Sequence, residues 1–376
     1  MHARSSNSAG FLLIAAISGR ALASAARRAG YRPLVADFFC DTDTVTVAER
    51  TTMLPGNLHD GIDMTKLVEK LRDLADNDRP AALILGSGFE HEPEIVDELA
   101  RHFTLAGNGS AAIRRVKDPE ALASDCAALG IPHPPFRRDA PPDPENWMVK
   151  ADGGAGGTHV AQADGRGPEA GRYFQGFVPG DSVSALFIGD GKDAHVIGFS
   201  RQWTSPTPEA PYRYGGAVRL RRVDRRDAAA ISAWLGGLTR RAGLVGLCSA
   251  DFIRNADGYH LLEINPRPGA TLDIFDSAEA PLIEAHLKAS RGEAYAVPRF
   301  TDSMASTIAY AAAPLARFPD IAWPDWTADH QSPGTSLVAG DPVCSVFARD
   351  DNAAGARRRA VAQARQLQRS WEGDRT

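Results

Sequence analysis

The sequence predicts an open, parallel α/β domain followed by an α+β region of antiparallel strands, with a short strand-and-helix section at the end. Three observations lead there. Up to about residue 108, short apolar runs alternate with helical stretches, the pattern of a parallel sheet covered on both faces. From residue 147, strand-like runs follow one another with only turns between them, as in antiparallel pairing. The length of 376 residues suits two or three domains rather than one core.

Taken in order, residues 11–17 read as a buried strand and 20–29 as a helix closed by Gly30. Residues 34–39 form the next strand, followed by an acidic turn at Asp41 and Asp43. A helix over about 63–75 leads to a strand over 81–86, and Pro93–His102 is helical again. Residues 117–130 predict one further helix, and the prolines between 132 and 144 mark a loop. The second region contains strands over 147–150, 171–177, 183–188, 195–200 and 218–220. A helix over 226–242 precedes the paired strands 246–254 and 259–265. Beyond Pro298, strands are expected over 304–312, 335–338 and 343–348, with an Ala/Arg/Gln-rich helix over 353–373. The run Arg357-Arg358-Arg359 reads as a solvated helix face.

Composition narrows the function class. Hydrophobic residues make up 43% and charged residues 24%, with a net charge of -5, which argues against a nucleic-acid-binding surface. The four cysteines are far apart and form no C-x-x-C pair, so the expected home is the reducing cytoplasm. No apolar run is long enough to cross a membrane. The apolar segment 11–17 loosely resembles a signal peptide, but the Ser18-Gly19-Arg20 turn and the helix after it fit a strand entering a βαβ unit.

The segment from Leu247 to Arg267 carries the most chemistry. Two apolar strands flank a turn, and a three-residue loop Ala256-Asp257-Gly258 would pair Asn255 with Tyr259 and set Asp251 opposite Glu263. Asn265, two residues on, projects from the same face as Glu263. Two carboxylates and an amide oxygen on one face suit a hard divalent cation that bridges phosphates, whereas aligned acids alone would repel. Arg267 follows at once, placed to hold a phosphate or carboxylate by paired hydrogen bonds.

The second segment is a strand delivering Lys150 and a loop with Gly153, Gly154, Gly156 and Gly157 before Thr158. Such a loop lets backbone N–H groups approach phosphate oxygens. It lacks the Gly-Lys-Ser/Thr order of a Walker loop and does not open a helix as a dinucleotide fingerprint would.

Together, and in this order along most of the chain, these segments resemble the ATP-grasp superfamily. The resemblance implies a Rossmann-like preceding domain (1–108) and a small clamp subdomain with linker and glycine loop (109–176). A metal-binding, catalytic subdomain (177–300) and a C-terminal β-rich section with a terminal helix (301–376) complete the division. It implies ATP with Mg²⁺, or Mn²⁺, as cofactors, with Asp251, Glu263 and Asn265 as metal ligands and Lys150 on the phosphates. Gly153–Thr158 would be the loop that closes over them. Gln175, where the family often has an acid, and the backbone of Gly176, Phe177 and Val178 would receive adenine. Asp181 would meet the ribose, Arg267 the acyl phosphate, and Lys117 is the available match for the family's nucleotide-contacting lysine on the helix that precedes the linker.

What the resemblance implies chemically is amide formation from small-molecule substrates through an acyl phosphate. Substrate contacts are expected from Glu90, at the carboxyl edge of the first sheet, and from Arg201, Trp203, Tyr212, Arg213 and Tyr214, around a Pro-rich loop. More narrowly, Ser18–Ala23, Gly86–Glu90, Tyr214–Gly216 and Gly340–Cys344 resemble the ligases of methanofuran-type cofactor synthesis, which join glutamate to tyramine or a related amine. A biotin-carboxylase-like enzyme and a non-catalytic nucleotide-binding regulator are the alternatives.

Overall fold

The computed structural model describes residues 10–57, 60–154, 157, 159–167 and 169–372. The first unit comprises β1 (Phe11–Ala15), α1 (Arg20–Arg28), β2 (Arg32–Asp37), α2 (Thr42–Val47), β3 (Arg50–Met53), the short pair β4 (Gly56–Asn57) and β5 (Gly61–Ile62), α3 (Leu67–Ala75), β6 (Ala82–Leu85), α4 (Glu94–His102) and β7 (Leu105–Ala106). Its five-stranded sheet has the order β3-β2-β1-β6-β7 and is parallel throughout. Strands β1, β2 and β6 are buried on both faces, as their continuous apolar runs require. The expected acidic turn at Asp41 and Asp43 is the start of α2. The Asp41 side chain caps it by accepting from the Thr44 N–H.

The linker holds two helices where the sequence suggested one, α5 (Ser110–Lys117) and α6 (Pro119–Leu129). The reason is local. Proline disfavours helical geometry at Asp118, which ends α5, while Pro119 and the Asp118 cap begin α6. Lys117 is thereby the last residue of a helix.

A four-stranded sheet follows, made of β8 (Phe136–Arg137), β9 (Trp147–Ala151), β10 (Ala161–Gln162) and β11 (Arg172–Gly176), in the order β10-β9-β11-β8. The large sheet contains β12 (Asp181–Asp190), β13 (Ala194–Thr204), β14 (Tyr214–Leu220), then, after α7 (Arg225–Ala242), β15 (Val245–Asn255) and β16 (Gly258–Asn265). After α8 (Leu272–Phe275) and α9 (Leu282–Ser290), the terminal strands β17 (Ser303–Tyr310), β18 (Thr327–Ala328) and β19 (Pro342–Asp350) extend the same sheet. Its order is β16-β15-β12-β13-β14-β17-β19-β18, so the C-terminal strands continue the sheet that carries Asp251 and Glu263. The expected strand at 335–338 is absent, since Leu337 makes only an isolated bridge to Leu315. The chain closes with α10 (Ala353–Glu372).

Strand alternation divides the large sheet into two faces. One carries Leu186, Ile188, Ala217 and Leu247, packed with α1, α8, α9 and the first sheet. The other carries Val183, Ala185, Phe187, Cys248, Ala250 and Phe252, packed with α5, α6 and α7. No helix among the described residues is long and apolar enough to cross a membrane.

Candidate active site

Asp251 and Glu263 are cross-strand partners, as the sequence requires. They reach this register by a different path. The turn has two residues, not three, with Asn255 opposite Gly258, and a bulge between Asp251 and Phe252 restores the alignment. Gly258 takes a φ of +119°, a backbone region that favours glycine. A bulge sharpens the local twist and re-aims side chains. The Asn265 amide nitrogen donates to Asp251 at 3.0 Å and to Glu263 at 3.4 Å, so the three groups converge on the face toward the first domain.

Two lysines approach these acids from different units. Lys117, at the end of α5, donates to the Asn265 amide oxygen at 2.8 Å and lies 3.5 Å from Glu263. Lys150, on β9, is buried and donates to Gln175 at 2.6 Å, while the Gln175 amide donates to the Leu262 carbonyl at 3.2 Å. Gln175 thus ties the small sheet to the hairpin. Burial raises Asp251 above the ordinary carboxylate range, with the charge of Glu263 adding to it. Burial acts the same way on Glu263, but Lys117, Lys150 and His159 outweigh it and hold that carboxyl low. Burial lowers Lys150, against the pull of Glu263 and Asp251. Between the two sheets lies a small cleft, lined in part by Lys117, His133, Gly153, His159, Gln175 and Glu263.

The glycine loop enters this cleft after Lys150. Gly153, at φ +67°, lies so close to the first domain that an added Cβ would sit 2.8 Å from the His91 Cα. Gly154 faces the His159 ring, which a Cβ would meet at 2.5 Å, and a Cβ on Gly157 would meet the Tyr212 carbonyl oxygen at 2.3 Å. The glycines are therefore needed for close approach as well as for turning. Gly156 and Thr158 lie outside the described residues. The hinge differs from expectation. The N–H groups of Gly176 and Phe177 donate to the carbonyls of Pro135 and Asn146, both at 2.8 Å, and so hold the hinge rather than face a base.

Residues 122–271 match the family model of the ATP-grasp domain. Over that stretch the chain is similar to an ATP-grasp domain. The fold agrees with solved structures over nearly its full length. One is the biotin carboxylase domain dimer of Hydrogenobacter thermophilus 2-oxoglutarate carboxylase, with MgADP and bicarbonate, at 13% identity. It has a TM-score of 0.71 and covers 94% of this chain and 89% of that one. Another is a biotin carboxylase nucleotide complex from Campylobacter jejuni, at 13% identity, with a TM-score of 0.67 and coverage of 92% and 89%. A third is the N5-carboxyaminoimidazole ribonucleotide synthetase of Thermotoga maritima, at 12% identity, with a TM-score of 0.65 and coverage of 95% and 98%. No curated protein matches the sequence significantly.

The Hydrogenobacter thermophilus structure holds MgADP. The donor set here fits such a cation. Two carboxylates and one amide supply only part of a coordination sphere, which leaves positions for phosphate oxygens and water. Among the described residues, no group of three or more His, Cys, Asp or Glu side chains forms a self-sufficient cage. The Asn265 oxygen, now on Lys117, would face the acids after a turn of the amide.

Arg267 lies two residues past Asn265, and its Nε donates to Glu90 at 2.6 Å. Glu90 is therefore the partner of Arg267 rather than an open substrate contact. Its own burial is opposed by Arg267 and Lys117, which keep it ionised below the usual range.

The aromatic and cationic residues expected to bind substrate are mostly engaged elsewhere. Strand β13 runs on through Thr204, so Arg201 and Trp203 sit on the face opposite the acids. Trp203 packs beneath α10, with the Arg357 guanidinium 4.7 Å from its ring centre. Arg201 pairs at 3.4 Å with Asp181, and both side chains are exposed at the sheet rim. Arg213 donates to Ser205 and Gly340 and lies over the Tyr310 ring. Tyr212 reaches toward Met148, and its backbone receives Gly157. Tyr214 remains on the inner face, with a buried hydroxyl that has no partner among the described residues.

Two residues were missed. Gln202, between Arg201 and Trp203, faces the acids and donates to Asp251 at 3.3 Å. Period-two alternation through 201–203 would have found it. Asn108 is buried, exchanges hydrogen bonds with Val245 and donates to the Pro266 carbonyl, fixing the linker to the loop that bears Arg267. Only its position between Gly107 and Gly109 hinted at a tight junction.

Proposed function

We propose that the protein is an ATP-dependent carboxylate–amine ligase that works through an acyl phosphate. The observation that carries this reading is the meeting of Lys117 and Lys150 with Asp251, Glu263 and Asn265 across one cleft, with Arg267 next to it. Mg²⁺ held by Asp251, Glu263 and Asn265 would draw charge from the phosphates. A substrate carboxylate oxygen attacks the γ-phosphorus of ATP, the bond to the β-phosphate oxygen breaks, and ADP leaves. The amine nitrogen then attacks the acyl carbon, phosphate departs with the former carboxylate oxygen, and the nitrogen loses a proton. Lys117 and Lys150 neutralise phosphate charge in the first step, and Arg267 stabilises the acyl phosphate and the oxyanion in the second. No protein nucleophile takes part.

Gln175 supports this reading by fixing the Lys150 ammonium, and Val178 with the hinge carbonyls would hold adenine. Asp181, paired with Arg201 at the rim, would receive the ribose. The substrate pair is glutamate, through its side-chain carboxylate, with an aromatic amine. That narrower pairing rests on the family resemblance and on Tyr214, since Trp203 packs under α10. The test is ADP release by purified protein with Mg-ATP across a panel of amino acids and amines, with product mass measured. ADP release that needs both a carboxylate and an amine, with an amide product, is the expected result.

A carboxylating enzyme is the second reading, favoured by the full-length likeness to biotin carboxylases. It requires ADP release that depends on bicarbonate and on no amine, and that outcome would replace the ligase.

A further inference from the structure

The role of Glu90 goes beyond that of a counter-ion. It follows β6 at the carboxyl edge of the first sheet, is 5% exposed, and has both oxygens engaged. Oε1 accepts from Arg267 at 2.6 Å, and Oε2 accepts from the N–H groups of Gly88 at 2.8 Å and Phe89 at 3.0 Å. The tight loop that makes this possible uses Gly88 at φ +119°. A carboxylate clamped by two backbone donors is rigid, and it imposes one orientation on the guanidinium it holds. The bond engages Nε, Nη1 reaches only the Pro268 carbonyl at 3.4 Å, and Nη2 donates to nothing among the described residues. The same loop touches the glycine loop, since a Cβ on Gly153 would lie 3.0 Å from the Glu90 carbonyl carbon. One short segment of the first domain therefore meets both phosphate-facing parts of the site.

We propose that Glu90 is a positioning residue that aims the free edge of Arg267 at the phosphate passed from ATP to the carboxylate. This rests on the ligase reading for the identity of that phosphate, but its test does not need turnover. The probe is inorganic phosphate binding to protein saturated with Mg-ADP, measured by calorimetry. Glu90→Gln should weaken phosphate binding at least about tenfold, the scale of one charge-assisted hydrogen bond, and leave Mg-ADP affinity within about twofold. Arg267→Ala should cause a similar loss, and the double variant no more than Arg267→Ala alone, because Glu90 acts through Arg267. Glu90→Asp, which keeps the charge but withdraws it, serves if the glutamine variant does not fold, and an intermediate loss is expected.

Unchanged phosphate affinity in the Glu90 variants, losses that add in the double variant, loss of Mg-ADP binding as well, or no phosphate binding by the parent protein would each overturn the proposal. A parent that forms amide while its Glu90 variants keep full phosphate affinity removes only the role of Glu90. A parent that loses phosphate on Glu90→Gln yet never forms amide removes only the ligase.

Discussion

His286 should make the protein lose stability as pH falls from about 6.5 to about 4, over and above the titration of its carboxylates. The imidazole is 1% exposed. Its Nδ1 accepts from the Leu247 N–H at 2.8 Å, and its Nε2 lies 3.0 Å from the Ala106 carbonyl. One neutral tautomer satisfies both bonds and locks β15 to the edge of the first sheet. Gly246 leaves the room, since a Cβ there would lie 2.5 Å from Nδ1. Burial pushes the ring down to about 4. A histidine lowered on folding takes its proton first in the unfolded chain. Its contribution is thus complete above the unfolded value and lost as pH falls through the folded one. From an unfolded value of about 6.5, the contribution is about 3 kcal/mol. Urea unfolding at pH 7.5, 6, 5 and 4 should show this component, and His286→Gln, less stable at pH 7.5, should lack it. Parallel stability curves for the two proteins, or an imidazole that titrates near 6.5 by NMR, would refute the argument.

Other outcomes follow from the site. Glu263→Gln should lower ADP release by about two orders of magnitude with the fold intact by circular dichroism, because it removes a charge from the proposed cation site without changing size. Gly153→Ala should lower kcat, since a Cβ there meets the His91 backbone at 2.8 Å; normal turnover would show that the loop need not approach the first domain. Lys150→Met should raise the KM for ATP and lower kcat together, as measured by steady-state ADP release, because under the proposed function its ammonium, held by Gln175, neutralises phosphate charge. Trp203→Ala should cost about 2 kcal/mol in urea unfolding and leave the amine KM unchanged, since the ring packs under α10.

The hairpin that sets Asp251 opposite Glu263 was legible because its logic is local. Asp251 and Glu263 are twelve residues apart, and the alternation of apolar and acidic positions admits few registers. The alignment survived an error in the turn because the bulge after Asp251 compensates for the shorter loop. Lys117 was also legible in principle: the Asp118-Pro119 pair marks where α5 must stop, and a terminal lysine is what remains. Arg201 and Trp203 were misread because the Pro-rich run after residue 204 pulled them into a loop. Once they belong to β13, the pleat alone turns them away from the acids and turns Gln202 toward them.

The remainder depends on charge pairs whose members are far apart in the chain. Glu90 and Arg267 are separated by 177 residues. Buried Arg20, at the start of α1, pairs with Asp273 and with Asp329, which lie 253 and 309 residues away. No periodicity links such residues, because the contacts form only after three units have folded against one another. A buried guanidinium left without its carboxylate is strongly destabilising, so these pairs constrain how the units dock. They also tie the start of α1 and the loop after β6 to the segments that carry Asp273, Asp329 and Arg267. Pattern within a strand or a hairpin reports local alignment, whereas the placement of these loops is defined only once the units have docked.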